Sequence, residues 1–213
     1  MIAARLISLA IGYCFGMILI GYLLGKLAHI DIRKEGSGNV GTTNATRVLG
    51  AKAGLITLIF DISKGLVAAG VVWLLFRSRF PDDIRLLMVY ASFGSMIGHD
   101  FPVYLGFKGG KGVATGIAFF FVTLPPGVPL LVLAFIIIVA VTKYVSLASI
   151  TGAVLALIEI FVFDRAGLLD YKGGQLTEVV ILVAAAVVIL IVKHRANIGR
   201  LIAGTENRFS LHK

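Results

Sequence analysis

From Val179 to Val192 the chain carries no polar side chain, and apolar runs of similar length recur along it. Such a run matches a helix that crosses a bilayer, which needs about 20 mostly apolar residues within a range of roughly 17–25. Seven candidate spans are read this way, over 4–25, 53–76, 84–98, 111–124, 127–144, 146–163 and 176–192. The fourth is short and abuts Pro125-Pro126, so it is expected to tilt or to cross only in part; without the weaker runs the count falls to five. Composition agrees, with 58% hydrophobic and 15% charged residues where soluble domains carry about 45–50% and about 25%. The expected fold is an all-α integral membrane protein of about seven transmembrane helices, forming a single polytopic membrane domain over residues 1–213.

Charge and cysteine content narrow the field. The lone Cys14 excludes an internal disulfide framework and a cysteine-based metal site, and reads as a small apolar residue within a membrane helix. A net charge of +9 suits anionic lipid surfaces or anionic substrates. Nucleic acid is not an expected partner, because no long basic run supports that reading. The first apolar stretch, Leu6 to Leu24, follows one cation, Arg5, and runs into Gly25-Lys26-Leu27 without a small-residue cleavage site, so it reads as a retained helix. With seven spans, 13 Lys and Arg residues fall on one side and 6 on the other, Lys64 lying inside a span. Cationic loops stay in the cytoplasm, which predicts an N-terminus outside and a C-terminus inside. The external loops would also hold Asp82, Asp83, Asp164 and Asp170.

Three polar segments share the cytoplasmic side. The first spans 36–47 and reads Gly-Ser-Gly-Asn-Val-Gly-Thr-Thr-Asn-Ala-Thr-Arg. Its glycines permit positive φ and can expose consecutive N–H groups as an anion nest, while Arg47 offers a planar fork for phosphate. Gly36, Gly38 and Gly41 also fit the dinucleotide pattern G-x-G-x-x-G, but a membrane helix and a charged turn precede them instead of a strand, so that reading fails. The second segment, 98–112, brackets Gly109-Gly110 with Lys108 and Lys111 just before a new apolar helix, a place where glycines let backbone approach an anion. The spacing is not that of a P-loop; two lysines snorkelling at the membrane edge are the plainer alternative. The third, 193–206, reads as a basic surface helix in which His194 and Asn197 share a face.

Charge within the second span adds to this pattern. Thr57, Asp61 and Lys64 fall on one helical face at i, i+4 and i+7. Ionisable groups at membrane depth cost on the order of 2.5–3.5 kcal/mol each and face a partner or a cavity. An Asp61–Lys64 ion pair and a Lys64 feeding a polar pocket both fit. Glu159, near the external end of its span, reads as an interface residue.

Taken together, these segments resemble the bacterial acylphosphate-dependent glycerol-3-phosphate acyltransferases, the PlsY family. The likeness lies in Gly36 to Asn44 with Arg47, in Gly98-His99-Asp100-Phe101-Pro102 running to Gly112, and in Lys193-His194-Arg195-Ala196-Asn197 running to Gly204-Thr205-Glu206. Asp61 to Gly65, and Ser146 after Tyr144, also look like family positions, and the likeness extends from about residue 10 to 208. Asp100, where Asn is expected, and Thr42, where Ala is usual, are mild departures.

The resemblance implies transfer of a fatty acyl group from acyl phosphate to the 1-hydroxyl of glycerol 3-phosphate, giving lysophosphatidic acid in the bacterial cytoplasmic (inner) membrane. It implies no metal or other cofactor, and membrane lipids as surroundings. The His-x4-Asp motif of acyl-CoA-dependent relatives is absent after His29, His99, His194 and His212. Carried onto this chain, it implies a catalytic set of Ser37, Asn39, Lys111, His194, Asn197 and Glu206. Substrate and phosphate would be bound by Gly38, Gly41, Thr43, Asn44, Arg47, Lys64, His99, Lys108, Gly109, Gly110, Gly112, Ser146 and Arg195. Amides of Gly109-Gly110 and of 36–41 would cradle phosphate and oxyanion. The attacking hydroxyl would lose its proton to the departing phosphate, or to His194, His99 or Glu206 as general base. A small anion transporter is the alternative, but the sequence has no convincing repeat and its polar segments sit at one membrane edge.

Overall fold

The computed structural model describes residues 1–209; Lys213, included among the cytoplasmic cations, and His212 lie outside the described residues. The chain divides into two compact units, Met1–Val122 and Thr123–Lys213. Helices dominate both, and no strand occurs among the described residues.

The first unit contains α1 (Ile2–Gly16), α2 (Ile20–Leu27), α3 (Thr42–Leu49), α4 (Ala51–Phe76), α5 (Ile84–Asp100) and α6 (Val113–Thr123). Two membrane helices gain little from burying apolar surface against each other, so close backbone approach through small residues must hold them together. Ala4, Ser8, Gly12 and Gly16 recur every fourth residue along the buried stripe of α1. On the facing surface of α5, Ala91, Gly94, Ser95 and Gly98 are buried. A Cβ at Gly12 would land on the Ala91 carbonyl and one at Gly16 on the Ser95 carbonyl. Reciprocally, Gly94 meets the Leu9 carbonyl and Gly98 that of Tyr13. Ala68, Val72 and Leu87 complete the core, with Ile11, Phe15, Phe76 and Phe80 packed against it.

The single helix expected over 4–25 is broken. Met17 to Leu19 leave the helical path, and Leu19 is extended and 1% exposed. A break at this depth orphans carbonyls that hydrocarbon cannot satisfy. Two side chains from later in the chain supply donors: Tyr104 Oη gives its proton to the Met17 carbonyl at 2.7 Å, and Lys64 Nζ donates to the Ile18 carbonyl at 3.0 Å.

The second unit contains α7 (Val128–Thr142), α8 (Val145–Arg165), α9 (Gln175–Lys193) and α10 (Arg195–Ile202). Lys143, at φ 64°, makes the sharp corner between α7 and α8, and the Phe209 amide donates back to its carbonyl at 2.8 Å. Small and branched residues line the buried face of α8, from Ser149 through Ala153 and Ala156 to Ile160.

Among the described residues, four segments are long and apolar enough to cross a membrane: Ile2–Leu27, Ala51–Phe76, Val145–Arg165 and Gln175–Lys193. α6 and α7 are apolar but shorter. Leu55, Ile59, Phe60, Leu74 and Leu75 on α4, and Ile136 and Ile137 on α7, are exposed. Apolar surface on this scale belongs against lipid and not against water.

Candidate functional site

In segment 36–47 one buried side chain organises the loop. Asn44, 1% exposed on α3, accepts the Ser37 N–H on Oδ1 at 2.8 Å. Its Nδ2 donates to the carbonyls of Ile32 (3.1 Å), Glu35 (3.0 Å) and Asn39 (2.9 Å). Asn39 Oδ1 in turn accepts the Gly41 N–H at 2.9 Å. Gly36 adopts φ 59°, where a Cβ would collide with Asn44 Oδ1, which is why the sequence needs glycine there. Ser37 and Gly38 are exposed on the loop, and Thr43 and Arg47 are half-buried on α3, whose positive end begins at Thr42.

Segment 98–112 is a clasp. Pro102 cannot continue α5, whose end is tied down by Tyr13 Oη donating to the Phe101 carbonyl at 2.8 Å. A 3-10 turn over Val103–Leu105 follows, and Gly106 and Phe107 both take positive φ. The chain then returns, with the Gly109 N–H on the Asp100 carbonyl at 3.1 Å and the Gly110 N–H on the His99 carbonyl at 2.9 Å. These two amides, expected from the sequence to cradle phosphate, are instead taken up by backbone carbonyls. The amides of Ser37, Gly38 and Gly41 are likewise bonded within their own loop. The glycines act through the missing Cβ, and Lys108 (exposed) and Lys111 (half-buried) carry the positive charge of the second segment.

Beneath the clasp lies an ionic cluster. The face of α4 expected to be polar is buried, with Thr57 0%, Asp61 1% and Lys64 7% exposed. Lys64 Nζ donates to Asp61 Oδ1 at 2.8 Å and to the Ile18 carbonyl at 3.0 Å, and lies 2.9 Å from His99 Nδ1. His99 and Asp100 are buried beside it on α5.

In the second unit, Glu206 gathers the third segment. Its Oε1 accepts Ser146 Oγ–H at 2.9 Å and Asn197 Nδ2–H at 2.6 Å, while Oε2 accepts Arg200 Nε–H at 2.7 Å. Gly204, at φ 69° just past α10, turns the chain back so that Glu206 reaches Asn197. Burial alone would raise this carboxyl, but the bonds from Asn197, Arg200 and Ser146 outweigh it and hold the group below its ordinary range. His194, 2% exposed at the junction of α9 and α10, points Nδ1 at the Leu190 carbonyl at 2.9 Å; a carbonyl only accepts, so Nδ1 carries the proton. Arg195 is exposed.

Within the first unit, therefore, Lys64 and His99 come together, as do Ser37, Asn39, Gly41 and Asn44; within the second, Ser146, Asn197 and Glu206 do. Asp61 and Arg200 stand outside the expected set yet sit at the centre of these clusters. Both had a signal in the sequence, Asp61 three residues before Lys64 in an apolar run and Arg200 three after Asn197 on one helical face.

These features define an integral membrane protein, all-helical, whose polar clusters include one buried ion pair, Lys64 with Asp61. The chain belongs to the glycerol-3-phosphate acyltransferase family, whose model matches residues 6–204. It is 41% identical over 206 residues to a glycerol-3-phosphate acyltransferase of Trichlorobacter lovleyi, covering 97% of this chain and 98% of that one. It is 42% identical over 205 residues to one of Geobacter sulfurreducens, covering 96% and 97%. Its fold is similar to crystal structures of PlsY (YgiH), an integral membrane glycerol 3-phosphate acyltransferase. The glycerol 3-phosphate form gives a TM-score of 0.82 at 35% identity, covering 97% of this chain and 96% of that one. The lysophosphatidic acid form gives 0.80 at 34%, with the same coverage.

Proposed function

We propose that this chain moves a fatty acyl group from acyl phosphate to the 1-hydroxyl of glycerol 3-phosphate, releasing lysophosphatidic acid and phosphate. The observation that carries the reading is the likeness, over nearly the whole chain, to a protein crystallised in a glycerol 3-phosphate form and in a lysophosphatidic acid form. The chain's own chemistry supports it: basic groups at Arg47, Lys108, Lys111 and Arg195 suit two anionic reactants. Acyl phosphate is a mixed anhydride and already activated, so positioning two anions supplies much of the rate without a covalent intermediate. The hydroxyl oxygen forms the new ester bond, the acyl–phosphate bond breaks, and the hydroxyl proton leaves with the departing phosphate.

The chain forms a single polytopic membrane domain of seven spans, N-terminus outside and C-terminus in the cytoplasm. Ser37, Asn39, Thr43, Arg47, Lys108, Lys111, His194 and Asn197 are proposed to meet the reactants. Asn44, Gly38, Gly41, Gly109, Gly110 and Gly112 shape the loops around them, and Glu206 with Ser146 holds Asn197. Because Glu206 already accepts three bonds, it suits that holding role better than that of a general base. The reaction belongs at the cytoplasmic face of a bacterial inner membrane, with the acyl tail in hydrocarbon.

The test offers purified protein glycerol 3-phosphate together with either acyl phosphate or acyl-CoA. Lysophosphatidic acid formed from acyl phosphate alone is the expected result; formation from acyl-CoA alone overturns the donor, and no product from either overturns the reaction.

A further inference from the structure

Lys64 carries three ammonium protons and no lone pair. The fold gives it three acceptors: Asp61 Oδ1 at 2.8 Å, the Ile18 carbonyl at 3.0 Å and His99 Nδ1 at 2.9 Å. Each proton is thereby taken up inside the protein, leaving none for a substrate oxygen. Since an ammonium only donates, His99 Nδ1 must accept, and the neutral ring then carries its proton on Nε2. The Nε2 edge of the ring lies against Gly110, where any Cβ would overlap it. From the same residue, the His99 carbonyl accepts the Gly110 N–H at 2.9 Å. His99 thus grips Gly110 with both its ring and its backbone, one residue before Lys111.

We infer that Lys64, charge-balanced by Asp61, is a positioning residue: it fixes the tautomer and seat of the His99 ring, and through that ring the path of the Gly109-Gly110-Lys111 segment on which a phosphate-bearing reactant binds. The last part rests on the function proposed above. The Ile18 bond gives the device its rigidity, because that carbonyl sits in the break between α1 and α2. One side chain of α4 therefore ties the broken helix to the clasp at the end of α5. All three side chains are shielded, at 1% (Asp61), 7% (Lys64) and 3% (His99) exposure, so water is poorly placed to replace a lost partner. Replacing Lys64 removes the donor to the Ile18 carbonyl and frees the ring to move its proton to Nδ1, which lies 3.5 Å from Asp61 Oδ1.

The experiment joins nitrogen-15 histidine spectra with steady-state kinetics on detergent-purified wild type, Lys64→Met, His99→Gln and the double variant. His99 is assigned as the signal missing from His99→Gln. In the wild type it is expected to show a bare Nδ1 and a protonated Nε2 at neutral pH, and Lys64→Met is expected to abolish that pattern. A misplaced loop weakens binding in ground and transition states alike, so Lys64→Met raises KM for glycerol 3-phosphate at least about tenfold with kcat within about threefold. The double variant is no worse than the worse single, because both act through one ring. A proton on Nδ1 in the wild type, a fall confined to kcat, or additive losses in the double variant each overturn the inference. Where Lys64→Met does not accumulate as folded protein, His99→Gln carries the same kinetic expectation and the wild-type spectrum still decides the tautomer. Absence of any turnover by the wild type sinks the proposed function instead, and the spectra remain readable.

Discussion

Glu206 draws three donors onto one carboxylate, and its charge state sets how firmly they are held. Its pKa lies below the ordinary value of 4.5, although burial opposes this, because Asn197, Arg200 and Ser146 favour the ionised form. A depressed carboxyl contributes stability that is fully present above its unfolded pKa and is lost as pH falls through the folded one. Melting of the wild type and of Glu206→Gln in detergent, followed from neutral pH downwards, should therefore show a gap that holds above pH 4.5 and closes below it. A constant gap would mean that the carboxylate charge is not what the cluster uses. Arg47 and Lys111 make a kinetic prediction. Charge-assisted bonds to a phosphate oxygen are worth about 1.5–3 kcal/mol, so Arg47→Ala and Lys111→Ala should each cut kcat/KM for glycerol 3-phosphate at least about tenfold while folded protein is retained. Unchanged kcat/KM in both would remove them from the site.

Among the elements, the α1–α5 pair depends most on single atoms. Gly12 and Gly98 each lie against a carbonyl of the opposite helix, so a side chain at either must push the helices apart. Overpacking of this kind costs about 1–3 kcal/mol, and Gly12→Val should lower the melting temperature in detergent accordingly. A Cβ at Gly70, on α4, would meet nothing within 4 Å. Gly70→Ala should leave melting unchanged or raise it slightly, since glycine in a helix interior is worse than alanine by about 1 kcal/mol. Equal losses at the two positions would show that helix propensity, and not backbone approach, governs α1–α5. Cys14 is exposed, so its replacement provides a cysteine-free background for labelling studies.

For the whole molecule, orientation is the testable quantity. In a Cys14→Ala background, single cysteines at Ser37, Lys108 and Arg195 should react only with reagent offered from the cytoplasmic side. A cysteine at Asp82 should react only from the opposite side. Ser37, Lys108, Arg195 and Asp82 are all exposed, so a missing reaction would report sidedness and not burial. Labelling of Ser37 and Arg195 from different sides would overturn a common cytoplasmic face for the polar segments.

The apolar stretches were legible because lipid demands a long unbroken run and tolerates little else. Residues 53–76, 146–163 and 176–192 became Ala51–Phe76, Val145–Arg165 and Gln175–Lys193, each within two residues at either end. The buried polar face of α4 was equally readable, since 3.6-residue periodicity alone aligns Thr57, Asp61 and Lys64. The break at Met17 to Leu19 was not, for those residues are apolar and compatible with a helix; its cause lies in Tyr104 and Lys64, far along the chain. Nor could local pattern say where the loop amides point. Glycine advertises an N–H that can approach an anion, but whether that N–H meets a ligand or the carbonyl of His99 depends on a return of the chain that only tertiary structure decides. Sequence by itself determined the solvent, the helices and the family, because each follows from residue type and spacing. Hydrogen-bond partners across the fold were settled by packing, because each N–H or O–H has one proton to give and three dimensions determine which acceptor is near.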